Sequence, residues 1–160
     1  MNIQRVKSIH IASDHAGFEY KEEIKSWLNN SIYTIVDHGA EIFHPMDDFT
    51  DFISKAVYEV SKSPEDSCAI IFGGSGQGEA MLANRYTNVR ATVFYGGDRE
   101  IIKLSRQHND ANVLSFGSRF ISLDDVKESI LLWLATPVLE DDKYHRRNKK
   151  VEDITRKLYE

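Results

Sequence analysis

The stretch Cys68-Ala-Ile-Ile-Phe72, followed at once by Gly73-Gly-Ser-Gly-Gln-Gly-Glu79, decides the architecture. Five successive apolar residues do not alternate inward and outward, so a strand built from them is covered on both faces. Strands of that kind belong to parallel sheets sandwiched between helices. The glycine-rich turn then leads into a helical segment over residues 79–86, completing a strand–turn–helix unit.

Outward from this unit the same rhythm repeats. Residues 8–13 read as a strand ending at the polar turn Asp14-His-Ala-Gly17, and residues 18–29 as a helix with Tyr20, Ile24, Trp27 and Leu28 on one face. A second strand over residues 33–36 closes at Asp37-His-Gly39. A loop carrying Asp47, Asp48 and Asp51 enters a helix on which Phe52, Ala56, Val57 and Val60 share a side. Residues 91–94 and 113–116 supply the fourth and fifth strands, with a helix near residues 99–106 between them. Val126, Ile130, Leu131 and Leu134 stripe the next helix, and Val151, Ile154 and Leu158 give a C-terminal helix one apolar edge. This alternation predicts an α/β fold: a three-layer, doubly wound, parallel five-stranded sheet of Rossmann or flavodoxin-like type, with a C-terminal helix. Ligands of such folds collect at the carboxyl ends of the strands.

A chain of 160 residues suits a single domain over residues 1–160. The formal net charge of −5 gives no general attraction to nucleic acid or to an anionic membrane. No apolar run approaches the ~20 residues of a membrane span. The start, Met1-Asn-Ile-Gln-Arg-Val-Lys7, has no signal-peptide core, so a cytoplasmic location is expected. Cys68, the single cysteine, lies inside an apolar run and reads as a buried structural thiol. There is no internal repeat and no low-complexity tract.

In the turn at 73–78, glycines remove the Cβ atoms that would hold a ligand away from the backbone. Amides converging at the start of a helix favour negative charge, so Gly74, Gly76 and Gly78 are candidate ligands for a phosphate or for an oxyanion formed during reaction. The stretch is not G-x-G-x-x-G, because Glu79 stands where the third glycine belongs, and a dinucleotide fingerprint is poorly supported. Glu79, in the first turn of the following helix, is either a carboxylate complementing the helix dipole or a group placed beside the ligand.

Three further groups carry candidate chemistry. Asp14 and His15 end the first strand, where Asp14 can cap the next helix and His15 can donate to a phosphate. Arg106-Gln-His-Asn109 places His108 and Asn109 in a loop where they could bind a hydroxyl or move its proton. His145-Arg-Arg-Asn-Lys-Lys150 is basic, and helical spacing puts Arg146 and Lys150 on one side to clamp a phosphate. Arg119, beyond the fifth strand, is another candidate anion ligand. The six histidines show no metal-ligand spacing, so no metal is expected, and no cofactor either.

In order, Ala12-Ser-Asp-His-Ala-Gly17, Gly73-Gly-Ser-Gly-Gln-Gly-Glu79 with Ala83-Asn-Arg85, and Ser105-Arg-Gln-His-Asn109 through Phe116-Gly-Ser-Arg119 resemble the ribose-5-phosphate isomerase B family, which includes the galactose-6-phosphate isomerase subunits. The resemblance spans essentially the whole chain. It implies an aldose–ketose isomerase acting on a sugar phosphate: ribose 5-phosphate and ribulose 5-phosphate first, allose or galactose 6-phosphate as alternatives. It also implies homodimers, some pairing into tetramers, with active sites shared between subunits and the segment from about residue 140 packing on the partner. One form of the family uses a cysteine just before the glycine loop as base. The other uses a glutamate at the loop's end, and Gly73 with Glu79 matches the second. By the same resemblance, Asp14 and His108 assist ring opening. Ser75 and Asn109 help to hold the intermediate, while His15, Arg146 and Lys150 hold the phosphate. Two segments depart from the family. Asp48-Phe-Thr50 stands for Asp-Tyr-Pro, and Arg146-Arg-Asn-Lys-Lys150 for Arg-His-x-x-Arg, which bears on substrate identity. A non-catalytic phosphosugar-binding protein and a flavodoxin-like nucleotide binder are the readings from other classes.

Overall fold

The computed structural model describes residues 6–159; the first five residues of the leading segment Met1–Lys7 read above lie outside them. Five strands, β1 (Ser8–Ser13), β2 (Thr34–Asp37), β3 (Ser67–Gly73), β4 (Ala91–Phe94) and β5 (Val113–Gly117), form one sheet in the order β2-β1-β3-β5-β4. Every neighbouring pair is parallel. Between and after them run α1 (Phe18–Leu28), α2 (Phe49–Lys62), α3 (Gln77–Ala83), α4 (Glu100–Gln107), α5 (Leu123–Ala135) and α6 (Asp142–Tyr159), and a 3-10 turn at His15–Gly17 opens α1. Among the described residues no helix is long and apolar enough to cross a membrane.

β3 is buried at all seven positions, and its side chains divide between two cores as the pleat requires. Cys68, Ile70 and Phe72 join Ile9, Ile11, Leu114 and Phe116 beneath α1, α4 and α5. Ala69 and Ile71 join Ala12 and Val113 beneath α2 and α3, against Ile53, Val57, Val60 and Ala83. The predicted three-layer, doubly wound sheet is present. Its outer strands β2 and β4 are only half covered, unlike the central three, because an edge strand lacks a neighbour on one side. The order also interchanges the last two strands of the flavodoxin arrangement 2-1-3-4-5.

Local differences have simple causes. The third helix starts at Gln77, two residues earlier than the spacing predicts, because Gly76 takes a left-handed conformation (φ 76°) that ends the turn there. Leu131, placed in the buried stripe by its spacing, is 57% exposed, whereas Trp133 is wholly buried. On a helix of 3.6 residues per turn, Val126, Ile130, Trp133 and Leu134 share a face and Leu131 lies about 100° away from Ile130. Lys21, within the apolar face of α1, is fully buried and bonds Asp37 at 2.8 Å and Glu22 at 2.6 Å.

The chain leaves β1 towards β2 on one side and leaves β3 towards β4 on the other. The direction of winding therefore changes between β1 and β3, which are adjacent. Crevices open at such a point at the carboxyl ends of the strands, and here those ends carry Asp14 and Gly73.

His10 on β1 is 8% exposed, and its Nδ1 lies 2.8 Å from His38 Nε2. Burial, reinforced by the neighbouring His38 and opposed by Glu59, pushes its pKa down to about 4. The unfolded chain therefore takes up a proton at higher pH than the native one. Stability falls as pH drops from about 6.5 towards 4, by at most roughly 3 kcal/mol from this residue. Urea unfolding followed from pH 7 to pH 4 is expected to show a flatter decline for His10→Asn than for the unmodified chain.

Candidate active site

At the end of β1, Asp14 is 7% exposed and accepts from the amides of Ala16 (3.0 Å) and Gly17 (3.3 Å), so it does cap the turn that follows. His15 next to it is gripped by Asp47 from the loop before α2. One oxygen, Oδ1, accepts from the His15 amide at 2.9 Å and lies 2.7 Å from Nδ1. Phe43 stands edge-on to the imidazole.

Across the crevice, Glu79 is 4% exposed and faces back into the loop. Its position is made possible by Gly73. A Cβ at residue 73 would lie 1.9 Å from Glu79 Oε1 and 2.1 Å from the carboxyl carbon, so the carboxylate occupies the place of the missing side chain. Burial raises the Glu79 pKa above the ordinary value of 4.5, and the charge of Asp14 adds to that. A hydrogen bond from its own amide, at the start of α3, acts the other way. The opposing pulls of burial and helix start are thus resolved in favour of burial.

The loop that carries Glu79 is braced by β5. Gly76 needs its positive φ, and a Cβ there would come within 2.9 Å of the Phe116 backbone. Buried Ser115 donates its hydroxyl to the Gly76 carbonyl at 2.7 Å. The exposed hydroxyl of Ser75 accepts from the Gln77 amide at 3.3 Å. Arg119 lies beside Gly74 on the same edge, its guanidinium 3.1 Å from where a Cβ would be. The ring of Phe49 rests against Gly78, so the residue standing for the family's tyrosine borders this loop without a hydroxyl. Three buried polar atoms on this edge, Ser13 Oγ, Asp47 Oδ2 and Ser118 Oγ, have no hydrogen-bond partner among the described residues, as fits a crevice that receives a polar ligand.

Asp14, His15, Ser75, Gly74, Gly76, Gly78, Glu79 and Arg119 are therefore brought together. His108, Asn109, Arg146 and Lys150 are not. A crossover helix runs antiparallel to its strands, so α4 ends at the amino edge of the sheet and delivers His108–Asn109 just before β5 begins. Their loop therefore lies away from the carboxyl edge where ligands of such folds were expected to collect. Five β5 residues separate the two edges, about 16 Å at 3.3 Å per residue. His108 stacks on Tyr144 of α6 (ring centroids 4.2 Å apart, planes within 12°), and its carbonyl accepts from Asn148 at 3.0 Å. Buried Arg106 pairs with Asp110, which pairs with Arg90, which in turn pairs with Glu152 of α6. The exposed side chains of Arg146 and Lys150 ride on this tethered helix. The chain thus carries the two groups of residues at opposite edges of the sheet.

Spacing along the sequence missed Asp47. Its partner His15 is 32 residues away, and only the run of acidic residues before α2 marked the loop. Nor could spacing show that Asp14, His15 and Asp47 each offer a ligand atom within 4.8 Å of the others, a grouping of metal-binding type. The 2.7 Å Nδ1–Oδ1 contact, however, has the length of a hydrogen bond, which engages that nitrogen with a proton. Cys68 is buried, and burial pushes its thiol up to about 12, as a structural cysteine requires.

Residues 9–154 match the model of the ribose/galactose isomerase family. The chain belongs to this family. It is accordingly an aldose–ketose isomerase, an intramolecular oxidoreductase. It is similar to ribose-5-phosphate isomerase B of Escherichia coli K12, with 32% identity over 94% of this chain and 95% of that one. The Mycolicibacterium paratuberculosis protein of the same name is 31% identical over 87% and 86%. Among solved structures, ribose-5-phosphate isomerase B from Mycoplasma genitalium with bound ribulose-5-phosphate superposes with a TM-score of 0.87 at 30% identity, covering 93% of this chain and 96% of that one. The Anaplasma phagocytophilum protein gives 0.84 at 33% identity, covering 92% and 97%.

Within this isomerase the Gly73–Glu79 pair yields a direct test. Gly73→Ala places a methyl group on the carboxylate and should displace it. Isomerase activity is expected to fall by roughly 10²-fold or more, the scale of losing a general base, while the circular dichroism spectrum stays native.

Proposed function

We propose that this isomerase interconverts an aldose phosphate and its ketose through an enediolate, with ribose 5-phosphate and ribulose 5-phosphate as the preferred pair and Glu79 as the base. The observation that carries this reading is the buried Glu79 carboxylate lying over Gly73 beside Asp14, at the point where the winding changes direction. The ribulose-5-phosphate held by the Mycoplasma genitalium relative supports the choice of sugar.

Asp14 and His108 move protons at the ring oxygen and anomeric hydroxyl to open the sugar. Glu79 then removes the carbon-2 proton and returns it to carbon 1. A carboxylate whose pKa is raised by burial is a stronger base than a solvated one, which suits removal of a carbon-bound proton. The negative oxygen that forms meets backbone amides of residues 74–78, Ser75 and Asn109, and each good donor of this kind is worth about 10²–10³ in rate. His15, Arg119, Arg146 and Lys150 hold the phosphate.

These groups converge only if a second copy supplies His108, Asn109, Arg146 and Lys150 from its amino edge. A homodimer with two shared sites is therefore part of the proposal. The exposed Val151, Ile154 and Leu158 on α6 give the segment from about residue 140 an apolar edge to place against that partner.

Incubation in deuterated water with a panel of aldose phosphates should show label entering carbon 2, fastest for ribose 5-phosphate. Glu79→Gln is expected to lose this exchange by about 10²–10⁴-fold. Because burial disfavours the charged form, removing the charge should also raise the melting temperature at pH 7. A variant that still exchanges at the unmodified rate would remove Glu79 from this role.

Sharing of sites is tested by mixing. Glu79→Gln and His108→Ala, each inactive alone, should on reassembly regain about a quarter of full activity, since half of the random dimers are mixed and each of those has one intact site. Without recovery on verified subunit exchange, each chain must build its own site.

A further inference from the structure

We infer that Asp47 is a positioning residue for His15, holding the imidazole by Nδ1 so that Nε2 is the nitrogen presented to the substrate phosphate. The inference rests on the function proposed above and deepens it by assigning the residue that sets the phosphate end of the crevice.

Asp47 comes from the irregular loop between β2 and α2, far from His15 in sequence. A single oxygen of its carboxylate receives both the His15 amide (2.9 Å) and lies 2.7 Å from Nδ1. Backbone and ring are thus fixed by one group, leaving the side chain little freedom to swing. An ionised carboxylate has no hydrogen to donate, so the bridging hydrogen sits on Nδ1. With Nδ1 engaged, only Nε2 remains to meet a ligand.

The burial of the pair points the same way. The Asp47 side chain is 9% exposed and that of His15 is 29% exposed, so the carboxylate is the anchored end and the ring the end that reaches the crevice. Asp14 does not compete for this role, although it is adjacent in sequence. Its nearer oxygen stands 3.8 Å from Nδ1, and the carboxylate is engaged by the amides of Ala16 and Gly17. The edge-on ring of Phe43, its centroid 6.5 Å away, walls the imidazole on another side.

The test combines a spectroscopic readout with kinetics. In ¹⁵N-labelled protein at a pH where the ring is neutral, long-range proton–nitrogen correlations should show the His15 hydrogen on Nδ1. Asp47→Ala should lose that preference, and Asp47→Asn, which keeps an acceptor oxygen, should retain it. Asp47→Ala should raise KM for ribose 5-phosphate and weaken calorimetric binding of inorganic phosphate by the same factor, roughly tenfold as for a lost charge-assisted hydrogen bond. Its kcat should change by no more than about twofold, since the reacting carbons are not touched. Asp47→Asn should recover most of the loss.

A His15 hydrogen found on Nε2 in the unmodified protein would overturn the inference. So would an Asp47→Ala variant that loses kcat while binding phosphate normally. The spectrum of the unmodified protein decides even where Asp47→Ala does not fold. Phosphate binding and the tautomer need no turnover. A failure of the isomerase proposal, seen as no turnover of any aldose phosphate, is therefore distinguishable from a failure of this one.

Discussion

A carboxylate can be buried at the end of a parallel strand only where the packing leaves room for it, and here the room is the side chain that Gly73 lacks. Oε1 of Glu79 would lie 1.9 Å from any Cβ at that position, so the two cannot coexist. The consequence is electrostatic as well as steric. Removed from water and set beside Asp14, the carboxylate is held above its ordinary pKa, although the hydrogen bond from its own amide opposes this. Such an arrangement costs stability and persists only if the surroundings prevent the side chain from rotating out. They do so through β5: Ser115 holds the Gly76 carbonyl, and Gly76 packs on the Phe116 backbone, so the start of α3 has little freedom to move.

On the proposed role of Glu79, the same constraint accounts for the two alternative bases that the resemblance implies. A cysteine at position 73 and a glutamate at position 79 would direct their reactive atoms into one volume. Only the glutamate can use it once residue 73 is glycine. Cys68, five residues upstream, belongs to the strand interior and takes no part in that choice.

The layered architecture was legible because β3 and its glycine turn carry the hydrophobic pattern of a doubly covered strand without interruption. The cradle around Gly74, Gly76, Gly78 and Glu79 was legible because those residues are contiguous. What escaped the sequence involved pairing across distance or direction in space. Asp47 meets His15 only after α1 and β2 have brought the loop round. The polarity of a crossover sends His108 and Asn109 to the opposite edge, although in sequence they flank the same strand as Arg119. Leu131 was misplaced for a geometric reason, since an adjacent residue on a helix turns through about 100°. Buried Lys21 was invisible because its cost is met by Asp37 and Glu22, one of them on another element.

The inaccessibility of Cys68 has a chemical consequence. The sequence contains no other sulfhydryl, and this one is enclosed by the core with its thiolate form strongly disfavoured. Peroxide and electrophiles attack thiolates, and a buried protonated sulfur offers them little. With a carboxylate as the proposed proton shuttle and its sole thiol sealed away, the isomerase offers oxidants no reactive thiolate whose loss would stop turnover.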